Sequence, residues 1–81
     1  MNTVASMREY INDYVRNTSI EQIGTEILKE QFRIPFTYDL DKVYFINRVP
    51  MSESEAKEYV QSFFEGLDVQ AVMELYFKIS V

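Results

Sequence analysis

Pro35 decides the layout of this chain. A proline disfavours helical geometry at the residue before it, here Ile34, and fits no helix interior, so any helix built by the first third must stop there. Upstream of it the apolar residues recur at helical spacing. Residues 4–16 set Val4, Met7, Tyr10, Ile11, Tyr14 and Val15 on one side and Arg8, Glu9, Asn12, Asp13 and Arg16 on the other, the pattern of an amphipathic helix. Asn17-Thr18-Ser19 interrupts it. Thr18 with Glu21, or Ser19 with Gln22, then offers a capping box for a second helix reaching about Gln31, with Ile20, Ile23, Ile27 and Leu28 as its buried stripe. Gly24 lies inside that helix at a cost of up to ~1 kcal/mol relative to Ala, which close approach of the first helix would explain.

Downstream the pattern changes. Phe36-Thr-Tyr-Asp39 reads as a short extended piece and Asp39-Leu-Asp-Lys42 as a turn. Val43 to Val49, rich in β-branched and aromatic residues, reads as a central strand. Pro50-Met51-Ser52 leads into a third helix with Ser52 as N-cap, Glu55 at the capping-box position and Gly66 as terminator. Ala56, Tyr59, Val60, Phe63, Phe64 and Leu67 form its apolar face, with Glu55, Glu58, Ser62 and Glu65 opposite. From Val69 alternate residues are apolar, which predicts a long strand over 69–81. The competing reading is a short helix carrying Val69, Val72, Met73 and Tyr76 before a strand at 75–81. The predicted fold is therefore α+β: two N-terminal helices, then β-β-α-β, with a small three-stranded sheet packed on helices and a right-handed crossover before the last strand.

Eighty-one residues support one core, and 47% apolar with 15% aromatic content is enough to fill it. Burial and chain entropy nearly cancel at this size, so a homodimer is expected to help. The chain has no Cys and no His, which closes disulfides, thiolate chemistry, triads and the usual zinc ligand sets. No Gly-rich phosphate loop or nucleophile motif takes their place, so the reading is a non-catalytic protein without a cofactor. No apolar run approaches the ~20 residues of a membrane-spanning helix, and the opening MNTVASMREY lacks a signal-peptide layout, which makes the cytoplasm the expected location.

A net charge of −5 is the wrong sign for binding nucleic acid or anionic lipid directly. The excess is uneven. Residues 52–81 carry six acids, Glu53, Glu55, Glu58, Glu65, Asp68 and Glu74, against Lys57 and Lys78; the preceding residues nearly balance. Lys57 is the one base on the third helix, so its acidic stripe lacks the interspersed Lys that i, i+4 pairing would use. These six carboxylates are the candidate partner-binding residues, a row on the scale of a phosphate track that a basic, DNA-binding protein would recognise. Asp39 and Asp41 form a second, weaker constellation: two carboxylates on a loop suit Mg²⁺ or Ca²⁺, yet Asp is also what a turn prefers.

Residues 43–60, Val-Tyr-Phe-Ile-Asn-Arg-Val-Pro-Met-Ser-Glu-Ser-Glu-Ala-Lys-Glu-Tyr-Val, resemble a strand-to-helix segment of the portal proteins of T4-type tailed phages. The shared features are an aromatic strand, a Met-containing capped turn, and Ala-x-x-Tyr at the same offset. Portal proteins are many times larger, so portal function is not implied. Phage ancestry is, and with it residence in a host cytoplasm. In size and charge the chain is similar to the short acidic proteins with which phages disable host factors. That likeness implies a host-takeover inhibitor imitating DNA toward a basic host protein, such as a histone-like nucleoid protein. The alternative is a self-associating assembly module that pairs through the exposed edge of the predicted 69–81 strand or through an apolar patch.

Overall fold

Thr3 opens the first helix by reciprocal capping. Its Oγ1 accepts from the Ser6 N–H at 3.1 Å while the Ser6 Oγ accepts from the Thr3 N–H at 2.9 Å. In the computed structural model, which describes residues 3–81, α1 then runs Val4–Asn17 and buries Met7, Ile11 and Val15. Ser19 caps α2, Ile20–Ile23, by accepting from the Gln22 N–H at 3.2 Å.

Past Ile23 the helix widens into a π-helical segment, Gly24–Lys29, and the Ile27 carbonyl accepts from Phe32 N–H, five residues on, at 3.1 Å. Gly24 does mark a close approach, although Phe36 and not the first helix is the neighbour. A Cβ on Gly24 would lie well inside contact distance of three carbons of the Phe36 ring. Arg33 adopts left-handed backbone (φ 59°), and the Ile34 N–H returns to the Leu28 carbonyl at 2.8 Å, closing the helix just ahead of Pro35.

Three short strands follow as an antiparallel meander in the order β1-β2-β3: β1 Phe36–Tyr38, β2 Tyr44–Ile46 and β3 Val49–Met51. Phe36 pairs with Ile46 and Tyr44 with Met51. Phe36, Tyr44 and Ile46 point into the core. The predicted strand over 43–49 is thus two half-strands folded at Asn47-Arg48, whose φ values of 52° and 69° are the left-handed pair a two-residue hairpin loop requires. Pro50 stands opposite Phe45. Having no N–H, it cannot exchange bonds there, so its nitrogen faces outward and leaves the free edge of β3 without a donor.

Ser52 and Glu55 cap α3, Glu53–Glu65, reciprocally, and Gly66 follows its last turn as predicted. The remainder departs from expectation. Residues 69–81 do not form a strand, and the described residues contain no strand-helix-strand crossover; α4, Val69–Ile79, is helical, with Asp68 as N-cap accepting from the Ala71 N–H at 2.9 Å. Two features outweigh the alternation. Val72, Leu75 and Ile79 also recur at helical spacing, and Gln, Ala, Met, Glu, Leu and Lys are strong helix formers. Among the described residues the architecture is α+β, with four α-helices, the π-helical segment and a three-stranded antiparallel sheet, its third strand supplied by residues 49–51.

One contiguous core joins the parts. Met7, Ile11 and Val15 of α1 meet Ile20 and Ile23 of α2, Ile27 and Leu28 of the π-helical segment, the three inward residues of the sheet, Ala56, Val60 and Phe64 of α3, and Val72 and Leu75 of α4. Each large side chain so buried contributes roughly 1.5–3 kcal/mol. α4 packs along α1, α3 lies against the same helix, and β1 packs on the π-helical segment, in a molecule of 42 × 22 × 22 Å.

Candidate functional site

α3 turns Ala56, Val60 and Phe64 inward, so helical geometry sends Glu55, Glu58, Ser62 and Glu65 outward. All six acidic residues singled out above are exposed. They do not form one row. Glu55, Glu58 and Glu65 share the outer side of α3, the last two separated by roughly 10 Å of helical rise. Glu53 follows the Ala56 and Val60 side of the helix at its open end, where its charge reaches Tyr44. Asp68 is occupied as the α4 N-cap, and Glu74 sits on α4, which packs on α1.

The cations near the stripe bond backbone carbonyls and not its carboxylates. Lys57 Nζ donates to the carbonyl of Thr18, the C-cap of α1, at 2.6 Å and to that of Val15 in its last turn. Arg8 does the converse: Nη2 donates to the Leu67 carbonyl at 2.8 Å and Nη1 to the Glu65 carbonyl at 3.4 Å, where α3 ends. Each of these antiparallel helices thus lends a cation from its second turn to the C-terminal carbonyls of the other. Helix ends favour cations there because their last carbonyls lack partners and carry the negative end of the dipole. The consequence for the acidic face is electrostatic. Among the described residues the one ion pair is Arg16 with Asp13, and none of the six carboxylates is paired.

Beside the stripe lies a shallow groove between β3 and α3. Val49, Pro50, Met51 and Tyr59 give it an apolar floor, and Glu55, Glu58 and Ser62 line its α3 side. Val49, on the edge strand, is 54% exposed and so open to a partner. The Ser52 N–H bonds the Glu55 carboxylate at 2.8 Å and holds its pKa below the usual value, with the Ser52 hydroxyl helping. Glu55 therefore both caps the helix and lines the groove. The carboxylates of Glu58 and Glu65 have no hydrogen-bond or ion-pair partner among the described residues, and theirs are the freest charges of the stripe.

Asp39 has its own occupation. Its Oδ1 accepts from the N–H groups of Asp41 at 3.0 Å and Val43 at 3.1 Å, the bonding by which an Asp closes a turn. No group of three or more acidic side chains converges among the described residues, nor is any helix there long and apolar enough to cross a membrane.

Sequence reasoning found the stripe and the solitary position of Lys57, and missed where Lys57 goes. A Lys in the second turn of one helix and an Arg in the second turn of another is a signal that exists, but it acquires meaning only once the helices are known to run antiparallel. The groove was invisible because it depends on β3, a strand the sequence hid behind Asn47-Arg48. No protein-family model matches this chain, and neither the curated proteins nor the solved structures give a significant match.

Proposed function

We propose that this protein is a non-catalytic binding module that presents the outer face of α3, with the groove beside it, to a basic protein surface. The observation that carries this reading is the diversion of Lys57 and Arg8 to helix-end carbonyls, which leaves Glu55, Glu58 and Glu65 without a neutralising partner. Uncompensated carboxylates on a rigid helix attract cations over a distance, and an adjoining apolar groove supplies the short-range contact that charge alone lacks. The partner this combination fits places Lys or Arg around one apolar side chain seated against Val49, Pro50 and Tyr59. A basic DNA-binding protein whose nucleic-acid surface is blocked by the stripe, such as a histone-like nucleoid protein of a phage host, is the concrete form of the proposal.

The test is competition. Fluorescent duplex DNA bound to a histone-like protein is titrated with this protein at low and at moderate salt. Displacement is expected to weaken steeply with salt, as screened surface charges require. Glu58→Gln with Glu65→Gln should abolish it, because neither residue has a structural bond to lose. Glu53→Gln should leave it intact. Salt-insensitive displacement, or displacement that survives the double substitution, would overturn the reading.

A further inference from the structure

We propose that the outward side of α4 is a contact surface for a second copy of this chain. A helix on the surface of a small domain ordinarily carries one apolar stripe. α4 carries two. Val72 and Leu75 are buried against the body of the molecule, while Val69, Met73 and Phe77, spaced i, i+4, i+8, stand 51%, 38% and 55% exposed along another side. Tyr76 borders this second stripe and packs edge-on against Tyr10 of α1, itself 43% exposed, with ring centroids 5.3 Å apart, which widens the apolar surface onto α1.

Charge selects the occupant. The chain carries −5 overall, so two copies that meet through most of their surface repel. α4 is the exception. Its only charged residues are Glu74 and Lys78, one of each sign and four apart. In a two-fold antiparallel pairing, residue i meets j and j meets i. Setting Met73 against Phe77 of the second copy leaves Glu74 offset by only about 3 Å along the axis from Lys78 of that copy, and the reverse contact repeats on the other side. The surface is thus complementary to itself, in hydrophobicity and in sign. α4 spans only about 16 Å, which together with Tyr10 and Tyr76 gives a weak, concentration-dependent dimer and not an obligate one. Pro50 makes strand pairing through β3 a poor rival, since the edge there lacks its donor. This inference is independent of the reading of α3.

Sedimentation equilibrium on the full chain, over a wide concentration range, decides it. The wild type is expected to rise toward the mass of two chains and stop. Met73→Glu with Phe77→Glu should remain monomeric with an unchanged helical circular dichroism spectrum, since both sites are exposed. Should that variant unfold, the charge series decides by itself. Glu74→Lys and Lys78→Glu should each weaken the dimer by about tenfold, and the double exchange should restore most of the loss. A wild type that stays monomeric or assembles beyond two overturns the proposal. So does a dimer indifferent to the Met73 and Phe77 changes, or a double exchange weaker than either single one.

Discussion

Gly24 shows how a residue can be read correctly for its role and wrongly for its neighbour. A glycine inside a helix signals close approach, and the approach is real, yet the visitor is Phe36, twelve residues on and beyond the Pro35 break. Helix propensity favours Gly24→Ala by up to ~1 kcal/mol; the methyl would have to displace the buried ring of Phe36, and overpacking costs about 1–3 kcal/mol. Chemical denaturation should therefore show the alanine variant to be the less stable. Tyr44 was equally opaque. It reads as one more aromatic in a strand, whereas it is fully buried and its hydroxyl donates to Glu21 Oε2 at 2.9 Å, tying β2 to the first turn of α2. Burial first, then the bond and the charge of Glu21, push its pKa up to about 12 from 10.0. Between those values the folded protein keeps a proton that the unfolded chain has released, so this contribution to stability is complete below pH 10 and is lost as the pH climbs toward 12. A melting-temperature series across that window should fall more steeply for the wild type than for Tyr44→Phe.

Among the elements, α3 was the most legible, because Ser52, Glu55 and Gly66 are local signals that tertiary context had no reason to override. Two other elements were not. The β2–β3 hairpin normally announces itself as Asn-Gly; here Arg48 holds the second left-handed position at φ 69°, and the run from Val43 to Val49 looks uninterrupted. An L residue there costs roughly 1–2 kcal/mol in backbone strain, part of which Gly returns to the unfolded chain as entropy. Arg48→Gly should accordingly raise stability by about 0.5–1 kcal/mol, measured by denaturant midpoint, without altering the spectrum. α4 was misread for a different reason. With apolar residues on two sides, it satisfies a period of two and a period of 3.6 at once, and Asp68 as N-cap was the discriminating sign. The surplus apolar side that confused the pattern is the same one proposed to meet a second copy.

Taken as a whole, the molecule gathers its charges by use. Glu55 and Asp68 serve helix starts, Arg8 and Lys57 serve helix ends, and Glu58 and Glu65 serve nothing inside the protein. An acidic excess in the last third was plain from the sequence, but which acids stay free depends on where two distant cations land, and that is a property of packing. Lys57→Met keeps much of the aliphatic stem while removing the ammonium from the α1 carbonyls, so it should lower stability by about 1–3 kcal/mol in denaturant unfolding. Binding through α3 should be unaffected, because that ammonium never belonged to the face.

The crossed cations also make the two helices each other's guarantor. Neither the tail of α1 nor the tail of α3 is fastened until both are seated, so fraying at one should loosen the other although they lie some fifty residues apart along the chain. Amide exchange at these two remote tails is expected to follow a single shared opening event in the wild type. In Lys57→Met it should split into two, the α1 tail exchanging first.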